Sequence, residues 1–146
     1  MDEVDALVEA GADIIATDCT LRERVSNETF EEFKKNIKKK YPEILIMADI
    51  SNYEEGINAY KSGVDMIGTT LSGYTDYTEK LEGPDYELVE KLSEAVDIPI
   101  IAEGRVHYPD QAAKMLEIGA YAVVVGGAIT RPLEITERFM KAIKRG

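Results

Sequence analysis

The sequence is short of the residues that build disulfides, metal clusters and membrane spans. Cys19 is the one cysteine in 146 residues. That excludes an intrachain disulfide and a cysteine-based metal cluster, and it suits a reducing compartment, so the expected location is the cytoplasm. No apolar run approaches ~18 residues, so no membrane span is expected. Met1 is followed at once by acidic residues, and no signal peptide is expected either. Positive charge is scarce: 17 Lys and Arg face 28 Asp and Glu, a net charge of -11. Such a surface repels nucleic acid and anionic membranes, and neither is an expected partner. A small anion is still admissible, because backbone N–H groups and a single arginine bind one locally.

What is present is a core. Hydrophobic residues make up 45% of the chain and charged ones 31%, which fits a soluble globular protein. Residues 1–146 are read as a single domain.

The chain opens with a helix over residues 2–10, which puts Val4, Leu7 and Val8 on one face and ends at Gly11. Residues 12–17 form a short apolar strand ending at Asp18. A helix over 28–40 follows, with acids early and lysines late, broken by Pro42. Residues 43–48 read as a second strand ending at Asp49. Ser51 to Glu54 reads as a capping box, starting a helix that Gly63 closes. Residues 64–69 are the third strand. A long polar loop, from Leu71 to about Pro84, is rich in Tyr, Thr and Gly, and at that length it is more often functional than filler. A helix over 85–96, a strand over 98–102, a helix from Pro109 to Gly119 and a strand over 121–125 come next. The last helix is predicted from about Thr130 to Lys144, with Pro132 in its first turn.

One helix and then five strand–helix units, with strands that are continuous apolar runs, predict parallel strands covered by helices. Gly11, Gly63 and Gly119 each join a helix to a strand, and Pro42 and Pro99 precede the other two later strands at a similar interval. A pair of units is therefore the repeating element, as in a barrel whose odd and even strands fill alternate core layers. Five units do not close an eight-fold barrel. The fold is either an open sheet or an incomplete barrel of TIM type, and the pairing favours the second, with Met1 then an internal residue. Two exposed sheet edges are expected to pair with another copy, giving a homo-oligomer, most simply a dimer.

In both architectures function sits at the carboxyl ends of the strands. Those ends carry Asp18, Asp49, Thr69 with Thr70, Glu103 with Gly104 and Arg105, and Gly126 with Gly127. Three carboxylates at one rim position hydroxyls and move protons, or else cap loops by accepting backbone N–H groups. Gly126 and Gly127 open a helix. They either let the backbone approach a phosphate or make a tight turn of positive φ. Arg131 adds a contact to phosphate or sugar, or is a solvated first-turn side chain, and Arg105 is read in the same way. His107, the only histidine, is read as a loop residue, and Cys19 as a small rim side chain rather than a nucleophile. Tyr74 and Tyr77 either form a lid or pack the long loop.

Five segments carry a resemblance: Ala16-Thr-Asp-Cys-Thr-Leu-Arg22, Met47-Ala-Asp-Ile-Ser51, Ile67-Gly-Thr-Thr-Leu-Ser-Gly-Tyr-Thr75, Ile101-Ala-Glu-Gly-Arg105 and Val125-Gly-Gly-Ala-Ile-Thr-Arg-Pro132. In order and spacing the chain resembles the N-acetylmannosamine-6-phosphate 2-epimerase family over nearly its whole length. The resemblance implies a phosphate-binding barrel in sialic acid catabolism that interconverts N-acetylmannosamine 6-phosphate and N-acetylglucosamine 6-phosphate without metal or organic cofactor. It implies Glu103 as the acid/base residue, Asp49 in substrate binding and Arg131 as the active-site arginine; Thr69 and Arg105, at the strand ends, are expected to bind substrate with them. It also implies Gly104, Gly126 and Gly127 at the phosphate. The family's catalytic lysine lies on an earlier strand that is missing here, so these residues alone are expected to bind poorly and not turn over. Cys19 stands where the family more often has alanine. Two other readings are another phosphate-binding TIM-barrel enzyme, a synthase or aldose–ketose isomerase, and a truncated, non-catalytic module.

Overall fold

The computed structural model describes residues 1–24 and 28–143. The elements in chain order are α1 (Asp2–Glu9), β1 (Ile14–Asp18), α2 (Phe30–Lys40), β2 (Leu45–Asp49), α3 (Tyr53–Ser62), β3 (Met66–Gly68), α4 (Tyr86–Ala95), β4 (Ile100–Glu103), α5 (Pro109–Glu117), β5 (Ala122–Val124), α6 (Gly127–Thr130) and α7 (Pro132–Ile143). The five strands form one sheet in the order β1-β2-β3-β4-β5, and every neighbouring pair is parallel. A doubly wound sheet would reverse direction at a switch point. This sheet never does, so it is an arc of a (β/α) barrel with five strand–helix units.

Local signals explain most of the boundaries. The glycines that join helix to strand, Gly11, Gly63 and Gly119, all have positive φ (87°, 79° and 106°). Left-handed backbone at that point turns the chain out of the helix at little cost for glycine. α2 starts at Phe30, two residues later than expected. Thr29 caps it, accepting from the Glu32 N–H, while the Glu32 carboxylate accepts in return from the Thr29 N–H.

Two expectations shift. The cap of α3 is Asn52, whose side chain accepts from the Glu55 N–H at 3.0 Å, and not the Ser51–Glu54 box. Ser51 is withdrawn from capping because its N–H and hydroxyl both donate to the buried Glu55 carboxylate at 2.7 Å. The last helix is split. A proline ring crowds the residue before it and disfavours helical backbone there. Arg131, ahead of Pro132, accordingly sits at φ -115°, ψ 89° and separates α6 from α7. The end predicted at Lys144 lies outside the described residues.

The core is a single cluster on the helix-covered side of the sheet: Ile15, Ile46, Ala48, Ile67, Ile100 and Ala102 from the strands, with Ile37, Ala59, Val89, Leu92 and Met115 from the helices. On the opposite face burial alternates along β1 and β2, and Ile14, Leu45 and Val124 are 44%, 38% and 40% exposed. Within these residues only the outer, helix-bearing face is closed. The inner face stands open, and it carries the acids.

Candidate active site

Strand side chains alternate between faces. Thr17, Ala48 and Ala102 point into the buried side, so Asp18, Asp49 and Glu103, one residue on, share the other. Register lines them up: Asp18 lies opposite Asp49, Asp49 opposite Gly68, and Glu103 opposite Val124. Thr70, two residues beyond Gly68, completes the row. Its Oγ1 lies 2.8 Å from Asp49 Oδ1 and 3.2 Å from Glu103 Oε2. Gly68 makes this convergence possible, since a Cβ there would fall 2.9 Å from Asp49 Oδ1 and 3.1 Å from Thr70 Oγ1.

The neighbouring aspartates are tuned in opposite directions. Burial pushes Asp49 above the ordinary carboxylate range. The Thr70 hydroxyl opposes this, while the negative charges of Glu103 and Asp18 add to it. Asp18 is also penalised by burial, but the hydroxyl and N–H of Thr20 and the Arg22 guanidinium outweigh that and hold it below the usual range. Asp18 is thus committed to its own loop, as the loop-capping reading has it, and Asp49 is the acid under strain.

Beside this row opens a cleft of about 370 Å³. Thr70, Glu103, Gly104 and Arg105 line one side, and Gly126, Gly127, Arg131 and Glu134 the other, with Tyr74 and His107 at its margin. Asp49 is not in the wall; it reaches the cleft through Thr70. Gly104 turns the chain at φ 108°. Gly126 has φ -94° and open space where a Cβ would stand, so a positive-φ turn is not what calls for glycine there. The first N–H groups of α6 have no partner inside the helix. Arg131 is exposed and donates to Glu134 Oε1 at 2.7 Å.

Two expected site residues are placed otherwise. Thr69 is 1% exposed, and its hydroxyl is spent on the strand beside it, donating to the Glu103 carbonyl at 2.9 Å and accepting the Glu103 N–H at 3.0 Å. Thr69 fixes the backbone under Glu103, and Thr70 presents the free-facing hydroxyl. Arg105 borders the cleft but is a clamp: Nε donates to the Gly83 carbonyl at 2.8 Å and Nη1 to the Ser72 carbonyl at 2.6 Å. Its guanidinium also lies 5.3 Å from the Tyr74 ring centre. It therefore straps the 69–85 loop to the end of β4, at a left-handed φ of 55° that non-glycine residues adopt at a cost of about 1 kcal/mol.

The two tyrosines divide their roles. Tyr74 stands at the cleft, and the Tyr77 hydroxyl donates to Glu55 Oε1 at 2.6 Å. Cys19 is half-buried, and burial pushes its thiol up, which leaves it protonated and unsuited to attack.

Glu55 is the residue that reading along the chain passes over. It is 1% exposed and accepts from the Leu21 N–H, the Ser51 N–H and hydroxyl, and the Tyr77 hydroxyl. One carboxylate thereby ties together the loops after β1, β2 and β3. The signal for it lies in the sequence only as an acid on the apolar side of α3. Gly68 and Thr70 are legible in principle, because a step of two from the end of β3 keeps to the face of Asp49.

Comparison with known proteins bears on this arrangement. Residues 1–145 match the NanE family model, described as "Putative N-acetylmannosamine-6-phosphate epimerase". The chain belongs to the NanE family. A family relative from Caldanaerobacter subterraneus subsp. tengcongensis, named "Putative N-acetylmannosamine-6-phosphate 2-epimerase", is 62% identical over 144 residues, 99% of this chain and 61% of its own. A second NanE relative, from Clostridioides difficile, is 52% identical over 97% of this chain and 63% of its own. The solved N-acetylmannosamine-6-phosphate 2-epimerase of Clostridium perfringens superposes with a TM-score of 0.90 at 47% identity, covering 97% of this chain and 61% of that one. The chain thus spans about three-fifths of the length of the NanE relatives it matches. A thiamine phosphate pyrophosphorylase from Pyrococcus furiosus shares the fold, with a TM-score of 0.64 at 24% identity.

Proposed function

We propose that this chain supplies the acid and phosphate sides of an N-acetylmannosamine-6-phosphate 2-epimerase site. The reaction interconverts N-acetylmannosamine 6-phosphate and N-acetylglucosamine 6-phosphate, in the cytoplasm, as part of sialic acid catabolism. What carries the reading is a single cleft with Glu103 and Gly104 on one side and Gly126, Gly127 and Arg131 on the other.

Inverting C2 requires removing the proton next to the C1 aldehyde of the opened sugar and returning one on the other face. Glu103 is the proton carrier in this reading, a role typically worth ~10²–10⁴ in rate. The enolate oxygen needs stabilisation as well, from preorganised donors. The N–H groups around Gly104, Gly126 and Gly127 take the phosphate, and Arg131 leaves Glu134 to join them. Asp49 acts on the substrate's hydroxyl side through Thr70. The reading calls for no metal or organic cofactor. By resemblance the second proton carrier is a lysine of an earlier strand, and none of the five strands among the described residues carries a lysine. A second copy of the chain is the partner that covers the open edges of β1 and β5.

The test is NMR on the isotopically labelled chain with N-acetylmannosamine 6-phosphate at millimolar concentration. The Gly104, Gly126 and Gly127 amides are expected to shift while no epimer accumulates. Unmoved glycine amides would end the substrate assignment, and epimer formed by this chain alone would end the need for a second carrier. Light scattering is expected to give a dimer mass; a monomer at all concentrations overturns that part.

A further inference from the structure

We propose that the Thr70 hydroxyl joins Asp49 and Glu103 into one proton-sharing unit, which makes Thr70 a positioning residue for the proton chemistry of Glu103. The catalytic consequence rests on Glu103 as the proton carrier of the epimerase reading. The sharing itself is a property of the free chain.

The geometry sets a proton-counting problem. Oγ1 lies within hydrogen-bond reach of both acids, 2.8 Å from Asp49 Oδ1 and 3.2 Å from Glu103 Oε2. A hydroxyl has one proton to give and lone pairs to accept with. With both acids ionised, Oγ1 donates to one, and its lone pairs face the oxygen of the other. One added proton turns both contacts into hydrogen bonds, because the protonated acid donates to Oγ1 while Oγ1 donates to the carboxylate. The singly protonated state is therefore favoured over the doubly ionised one. Among the described residues no cation hydrogen-bonds either carboxylate, so nothing else compensates the doubly ionised state.

The surrounding charges do not substitute for the bridge. On the β1 side Asp18 is paired with Arg22 and adds only repulsion. From β3 the neighbour is Gly68, which has no side chain. Around the cleft Arg105 is held by loop carbonyls and Arg131 by Glu134, with His107 at the margin. Glu55, among the adjoining loops, is committed to its own four donors.

The transfer balances without any other reactant. A proton leaves Glu103 Oε2 for Thr70 Oγ1, and the proton of Oγ1 moves to Asp49 Oδ1. Two O–H bonds break, two form, and the charge of the unit is unchanged. Glu103, in the cleft wall, becomes a base again, while the proton waits on Asp49, which lies outside the wall. That exchange lets Glu103 change between acid and base without drawing on solvent in the cleft.

Carbon-detected NMR of the carboxyl groups of the full chain against pH tests this. In the wild type the Asp49 and Glu103 carboxyl carbons and Thr70 Cβ are expected to report two common midpoints. In Thr70→Val the midpoints should draw together by about one pH unit, and Thr70→Ser should restore the wild-type separation. A Thr70 Cβ that stays silent through both steps, or a folded Thr70→Val with unchanged separation, overturns the proposal; if that variant does not fold, the wild-type signals decide alone. Sugar-phosphate binding is read in a separate titration, so failure of the epimerase reading leaves this result standing.

Discussion

The 69–85 loop and α7 both border the cleft, and they are held in very different ways. The loop buries Thr69, Ser72 and Thr75 and is fastened at several points: Tyr77 to Glu55, the Ser72 and Gly83 carbonyls to Arg105, and the Ser72 hydroxyl to Asp85 at 2.6 Å. α7 buries no residue, and Leu133, Phe139 and Ile143 are 72%, 68% and 69% exposed. The acid side of the cleft is thus organised from within these residues. The phosphate side is organised only as far as Gly127, and its helix presents an apolar face that single exposed side chains do not explain. Preorganised donors matter most where charge moves, and the tethers are concentrated there.

The comparison breaks first at Glu55. Glu55→Leu leaves the Leu21 N–H, the Ser51 N–H and hydroxyl, and the Tyr77 hydroxyl without an acceptor. The two Ser51 donors are buried, and at about 1–3 kcal/mol for each buried unmatched donor a loss of about 4 kcal/mol is expected in urea unfolding. A loss under ~1 kcal/mol would mean the loop does not depend on this tie.

Gly68→Ala comes next. The new methyl would lie 2.9 Å from Asp49 Oδ1, and such overpacking costs about 1–3 kcal/mol. The expected signature is a lowered melting temperature with the Asp49 carboxyl titration altered, checked by calorimetry and NMR.

Asp49 sharpens the contrast through pH. Its folded value lies above the ordinary aspartate value of 3.8, so between the two the folded state binds more protons than the unfolded one. Stability from this group therefore rises as pH falls through the folded value, and the gain is complete below the unfolded one. Asp18, held low, acts with the opposite sign: its contribution is present above 3.8 and is lost as pH falls through its lowered folded value. Asp49→Asn should remove the first slope and leave the second, as read from unfolding midpoints across the acidic range.

The smallest effect is expected on α7. Phe139→Ala should change the stability of the single chain by less than ~0.5 kcal/mol, since the ring is already exposed. If a second copy covers that face, the same substitution shifts the light-scattering mass toward monomer.

How much of this is legible in residue order depends on range. The five units, their parallel strands and the glycine joints follow from periods and caps that act within a few residues, and they stand where the patterns put them. Asp49 and Glu103 are legible because they end apolar runs. Along the chain Thr69 stands out ahead of Thr70, although the alternation that buries Thr69 turns Thr70 to the acids. Arg105 reads as a ligand contact because its guanidinium gives no sign, in residue order, of the Ser72 and Gly83 carbonyls it meets. Ser51 has the look of a cap, and only the approach of Glu55 takes its hydrogen-bonding groups away.

Sequence alone determined the repeating unit, the sheet's parallel sense and the acids and glycines that finish its strands, because helix caps and two-residue alternation are local physics. Tertiary structure decided which hydroxyl stands between Asp49 and Glu103, which arginine is a strap, and that a buried Glu55 ties three loops. Those outcomes depend on oxygens and nitrogens tens of residues apart meeting within hydrogen-bond distance, which no local pattern encodes.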